Sequence, residues 1–383
     1  MGATLLPGAV IPRTRRCRQA VLKSKKKTAV KTTLRNAAIA ELLALEAERQ
    51  EGIRQRAYRK AARSAFLWPE QARDLFAAGR SLTELKGVGP FIAHTLRAWL
   101  EQPPKTISPP PLRRDFLTLA DAREILARHP SWLKLLRGDL QMHTQWSDGS
   151  GTVQEMAEAA AARNYDYIAI TDHSKGLKIA GGIDEAALKK QGEEIVATNL
   201  AIRATGRRLT VLRSIELNLN LEGEGDMDPT ALHRLDLVLG SFHSSLRKTD
   251  DQTDRYLAAI RNPHLHILGH PRGRIYNFRP GLRADWPRVF AEAAKLDKAV
   301  EIDCYPDRQD LNLGLLKVAK EEGVRISLGT DAHHPWQFGF IELGLAAALK
   351  AGVPARCILN FLPLSDLRRW ADSLCQRLPR PRH

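Results

Sequence analysis

The stretch GDLQMHTQWSDG, Gly138 to Gly149, begins as an extended apolar run and ends on candidate metal ligands. Side chains two apart in a strand share a face, so Gln141 and His143 point the same way. A histidine at both positions would make a two-pronged ligand. Glutamine offers only an amide oxygen, weaker than an imidazole, beside His143, and Asp148 follows in the next turn.

The same design repeats downstream. The β-rich runs YDYIAIT, LTVLRSIEL, LDLVLGSF, LHILGH, AVEIDCY and RISLGT alternate with helical stretches such as TVQEMAEAAAAR and WPRVFAEAAK. With GDLQMH they make seven candidate strands. Such alternation implies parallel strands joined by right-handed crossovers. Without a glycine-rich nucleotide loop, seven strands favour a β/α barrel over an open sheet.

Chemistry-bearing residues stand at the strand ends: His143, then Asp172 with His173, then Glu216, His243 and His270, and finally Asp331 with His333. In β/α barrels the C-terminal strand ends and the loops after them form the active face, so topology gathers what sequence scatters. Taken alone, each histidine is more often an ordinary hydrogen-bonded residue; the joint pattern reverses that reading. His143, Asp148, His173, Glu216, His243, His270, Asp331 and His333 are eight candidate ligands, enough for two or three divalent ions. Mixed imidazole and carboxylate suits Zn²⁺, Mn²⁺ or Fe²⁺. His94, His129, His233, His264, His266 and His383 do not fit the pattern, and His334 is at most a substrate contact.

These motifs, together with YDYIAITDHSKGLKIAGG, LRSIELNL, LGHPRGR, VEIDCYPDRQDL and LGTDAHH, resemble the successive motifs of PHP (polymerase and histidinol phosphatase) domains. The likeness is greatest to the PHP domain of bacterial family X DNA polymerases, and it covers about Arg137 onward. It implies a distorted seven-stranded, TIM-like β/α barrel, a metal centre and phosphoester hydrolysis. It also implies the eight ligands above, with Gln141 where the general PHP pattern has histidine. Glutamine at that place also resembles the polymerase-linked branch. His243 is expected to serve catalysis as well as metal binding. Lys175, Arg272, Arg274 and Arg308 follow strand ends and are expected to contact phosphate.

Before the barrel, residues 36–101 read as a small all-helical unit. Within it, LTELKGVGPFIAHTL has the form of a helix-hairpin-helix: Gly87 and Gly89 permit a tight turn, and Pro90 opens the next helix. Lys86, Gly87 and Gly89 would hold a DNA phosphate without reading bases. IRQRAYRKAARSAF upstream resembles the helix preceding this hairpin in family X polymerases. The lyase members of that family carry a Schiff-base lysine where this chain has Thr95, so lyase chemistry is not expected. Residues 102–136, rich in proline at first, read as a linker and connecting helix, and about 36 residues are too few for a polymerase palm.

The 383-residue chain carries a net charge of +16, and ten positive charges fall between Arg13 and Arg35 with no acidic residue before Glu41. Residues 1–35 are thus expected to be a disordered basic arm that attracts polyanions. Four cysteines without CxxC spacing argue against a disulfide framework or thiolate zinc site. No membrane span is apparent, so a cytoplasmic, nucleoid-associated protein is expected. The leading reading is a metal-dependent phosphoesterase of DNA, a 3′-5′ exonuclease, 3′-phosphodiesterase or 3′-phosphatase in repair, and not a polymerase. The alternatives are a small-molecule phosphatase of the histidinol phosphate type and a non-catalytic DNA-binding protein with a structural metal site.

Overall fold

The computed structural model describes residues 34–105 and 108–375. The basic arm therefore falls outside the described residues apart from its end, where Leu34 is buried and Arg35 pairs with Asp121 and Glu124 at 2.5 and 2.7 Å.

Among the described residues, eight short strands form two parallel sheets: β1 (Gly138–Asp139), β2 (Tyr167–Ile170) and β3 (Thr210–Arg213) in one, and β4 (Glu216–Asn218), β5 (Leu239–Ser241), β6 (Ile267–Leu268), β7 (Ala299–Asp303) and β8 (Arg325–Gly329) in the other. The count exceeds the expected seven because the chain breaks LTVLRSIEL at Ser214 and Ile215, which separates β3 from β4. Backbone bonds join the sheets at both margins. Leu140 N–H donates to Leu328, and His143 N–H to Ala332, at 3.2 and 2.8 Å; Ser174 N–H donates to Glu216 at 3.1 Å. Neighbour contacts thus run from β1 round to β8 and back. The strands are buried on both faces beneath crossover helices, which explains their continuous apolar sequence.

The N-terminal unit comprises α1 (Asn36–Arg49), α2 (Gly52–Ser64), α3 (Ala72–Ala77) and α4 (Pro90–Glu101), packed around Leu43, Trp68, Leu75, Leu96 and Leu100. Its core takes in Tyr276 from the loop after β6, whose ring meets Phe66 edge-on at 4.8 Å. The segment read as a linker is itself packed. Buried Arg113 bonds Glu41 at 2.8 and 2.9 Å and Glu48 at 2.5 Å, while α5 (Leu119–Ala127) gives Ala122 and Leu126 to the core around the parallel sheets. No described helix is long and apolar enough to cross a membrane.

Candidate metal centre

The fold brings the strand-end residues to one place. Glu216, wholly buried at the start of β4, lies within reach of four histidines: His270 at 2.7 Å, His173 at 3.0 Å, His243 at 3.3 Å and His143 at 3.5 Å. Exposed Asp148 at the rim faces His333 at 3.3 Å and His173 at 3.6 Å, and Asp331 faces His143 at 2.9 Å. Two overlapping groups emerge: His143, Asp148, His173 and His333, and then His173, Glu216 and His243. His173 belongs to both, an arrangement suited to adjacent ions.

The donors fit divalent metal. Both ring nitrogens of His143, Nδ1 of His173, Nε2 of His243 and Oε2 of Glu216 are buried without a hydrogen-bond partner. Converging orphaned lone pairs are costly unless a cation takes them. Outer contacts orient the rings as metal sites require: His243 Nδ1 meets Asn218 Oδ1 at 3.1 Å, and His333 Nδ1 meets the Asp331 carbonyl at 2.8 Å, turning each Nε2 inward. His270 and Asp331 hold the left-handed backbone, with φ of 22° and 52°, a strain that functional sites tolerate when their surroundings fix it.

The electrostatics follow from burial and pairing. Burial alone would raise the Glu216 carboxyl and depress His173. Instead the histidines hold Glu216 well below the usual carboxylate range, and Glu216 with Asp148 raises His173 to about 10. His333 resists its burial in the same way and rises to about 9 beside Asp148 and Asp331. In His243 burial wins, which favours the neutral ligating form.

A profile of the PHP domain matches residues 139–330, half of the chain. The chain belongs to the PHP domain family. Its enzyme class follows: a metal-dependent hydrolase of phosphoester bonds. Among relatives, the DNA polymerase/3′-5′ exonuclease PolX of Bacillus subtilis is 34% identical over 266 residues, covering 68% of this chain and 45% of PolX. This chain thus spans less than half of that relative. A probable phosphatase of Photobacterium profundum is 31% identical, with 58% of this chain and 88% of the relative covered. Among solved structures, histidinol phosphate phosphatase from Lactococcus lactis, complexed with zinc, L-histidinol and phosphate, aligns at a TM-score of 0.41 and 17% identity over 57% of this chain and 94% of that one.

The remaining expected site residues divide. Gln141 is buried but turned to Glu301; with its amide nitrogen facing that carboxylate, it donates to both oxygens at 2.7 and 3.0 Å. Arg308 reaches the centre, with Nη1 at 2.5 Å from Asp331 and 3.5 Å from Asp303. Arg274, expected at the phosphate, is instead buried: it donates to the carbonyls of Arg308 and Asp115 and stacks on Phe116 at 3.7 Å. Lys175 pairs with Glu185 at 2.7 Å. In the hairpin, Lys86 Nζ sits 4.4 Å from the ring centre of Trp336, and Gly87 adopts φ of 77° against Ser64, leaving no room for a Cβ. Gly89 meets no such limit, since nothing lies near its missing Cβ.

Sequence reasoning passed over Glu301 and Asp303, both wholly buried on β7 beside the centre. Burial raises both carboxyls well above their ordinary range; Asp303 raises Glu301 further, and Asp331 raises Asp303 against the pull of Arg308. The signal was present in VEIDCY, where two acidic residues at strand spacing share one face.

Proposed function

We propose that this PHP protein hydrolyses phosphoesters at DNA 3′ ends, as an exonuclease, phosphodiesterase or phosphatase, in the cytoplasm and on the nucleoid. The observation that carries this reading is the placement of the hairpin turn. Lys86 touches Trp336, three residues from the ligand His333, so a backbone held at the hairpin lies beside the metal mouth. Half-exposed Trp336 offers a face on which a terminal base can stack.

Two or three divalent ions, Zn²⁺, Mn²⁺ or Fe²⁺, held by His143, Asp148, His173, Glu216, His243, His270, Asp331 and His333, would supply an activated water and neutralise charge on the phosphoryl group. The protein's own part is to place the ester. Arg308, anchored by Asp331 and Asp303, keeps guanidinium N–H groups for a phosphate oxygen. Asp148 at the open rim leaves an approach for substrate.

The relatives named as probable phosphatases support a second reading, hydrolysis of a small phosphomonoester. Turnover of oligonucleotides ending in a 3′-phosphate or 3′-hydroxyl, compared with histidinol phosphate under the same metal, separates the two. Preference for the oligonucleotides is expected. Turnover of histidinol phosphate with every oligonucleotide left intact would select the second reading.

A further inference from the structure

Between the loop after β6 and the segment entering α5 lies a cavity of about 190 Å³, on the order of six water volumes, lined by Arg114, Arg272, Arg274 and Arg279. Asp115 is its one acidic lining residue. We propose that it is a second phosphate subsite, which holds a backbone phosphodiester of the substrate strand away from the reacting ester. The proposal rests on the reading of the protein as an enzyme of polynucleotides.

What distinguishes this cluster from a solvated basic surface is how its guanidinium groups are held. Arg272 donates to the Pro280 carbonyl at 2.8 Å, Arg274 to the carbonyls of Arg308 and Asp115 at 2.9 and 3.0 Å, Arg114 to Pro109 at 3.1 Å, and Arg279 to Gly273. None of the four makes an ion pair with a carboxylate among the described residues. Asp310, nearby, spends Oδ2 on the backbone N–H groups of Arg272 and Arg274. Carbonyls fix the direction of each guanidinium without cancelling its charge. Both terminal nitrogens of Arg279, and one on each of the other three, remain as donors. Gly281, at φ of 88°, makes the packing possible, since a Cβ there would press on Arg272 and Arg274 at 2.9 and 3.0 Å.

Oriented, uncompensated guanidinium groups around a small void form a receptor for a tetrahedral anion. Its place in the fold selects the strand backbone as the source of that anion. Gly273 N–H donates to His270 at 2.9 Å, and Arg274 bonds the carbonyl of Arg308, whose side chain holds Asp331. The cavity is therefore one loop removed from the metal ligands, and Arg114 brings it to the segment joining the helical unit. A strand that enters the mouth past the hairpin has a phosphate to place there.

The test reads binding of a fluorescent single-stranded oligonucleotide to the metal-stripped full chain over a range of salt. For a single strand each neutralised phosphate contributes about 0.7 to the slope of log K against log salt, and the cavity holds one, so Arg114→Gln with Arg279→Gln is expected to lower the slope by about 0.7. Lysine at both positions is expected to keep most of the slope. Arg114 is exposed, so Arg114→Gln alone, with half that change, decides the matter if the double variant does not fold. A wild-type slope in a folded glutamine variant overturns the proposal. So does loss of inorganic phosphate binding with oligonucleotide binding unchanged, which would assign the cavity to free phosphate. Binding is read without metal, so a protein that binds in this way yet cleaves no DNA once reloaded with Mn²⁺ or Zn²⁺ refutes the proposed function and leaves the subsite standing.

Discussion

The metal mouth and the arginine cavity handle clustered charge in opposite ways. At the mouth, Glu216 is wholly buried among four histidines, and opposite charges meet at 2.7 to 3.5 Å. In the cavity, four guanidinium groups are tied to neutral carbonyls and their charge is left standing. The first arrangement is stable only when a proton or a metal satisfies the ring nitrogens. The second orients donors for an anion supplied from outside. One fold thus offers cation and anion positions a single loop apart, which a phosphoester substrate can bridge.

The largest expected effect breaks the cation side. Glu216→Gln removes the carboxylate shared by the histidines, and we expect loss of bound metal with a fall in turnover of about a thousandfold, equal to ~4 kcal/mol. Metal analysis beside phosphoester turnover checks this; full metal content with normal turnover would show that Glu216 is not a ligand.

The pH response comes next. In the metal-free protein His173 and His333 are raised to about 10 and about 9 from the ordinary 6.5. Their ion pairs therefore contribute stability that is fully present below pH 6.5 and lost as pH rises through 9 to 10. Thermal melts in chelator should shift downward over that window, and metal binding near neutral pH should release protons, read by calorimetry in buffers of different ionisation enthalpy. A melting temperature flat across the window would mean that the pairs are not protonated.

On the anion side, Gly87→Ala forces a Cβ against Ser64 at a left-handed φ. We expect a loss of about 1–2 kcal/mol in denaturant unfolding, with weaker DNA binding and little change in turnover of a small phosphomonoester. Equal losses on both substrates would detach the hairpin from substrate choice.

Gln141→His should have the smallest effect. It restores an imidazole near the ligands but removes the amide from Glu301, so we expect modestly tighter metal binding without a new activity. An inactive wild type rescued by this change would show that the glutamine disables the centre.

How much of this was legible in sequence depends on how locally each residue is determined. His143 and His243 could be read because strand-helix alternation dictates where strand ends converge, whereas Glu216, expected at a strand end, instead opens β4 after the break at Ser214 and Ile215 and still faces the histidines. The hairpin turn was legible because Gly87 and Pro90 report backbone geometry directly, and Pro90 does open α4. Gln141 could be placed on the face of His143 but not turned to Glu301, since that contact crosses to a strand far along the chain. Arg274 departs from expectation for the same reason: its position after β6 suggested the mouth, while Phe116 and the Asp115 carbonyl that help capture it come from a segment read as a linker. Packing between distant segments leaves little trace in local pattern.

The central claim, metal-dependent hydrolysis at DNA ends, is tested most directly with oligonucleotides labelled at the 5′ end and carrying 3′-hydroxyl or 3′-phosphate termini. They are incubated with metal-stripped protein, with the same protein reloaded with Mn²⁺ or Zn²⁺, and with His243→Ala. The account predicts shortening or dephosphorylation at the 3′ end that appears only on reloading and is lost in His243→Ala. Oligonucleotides left unchanged by the fully metal-loaded wild type would contradict it.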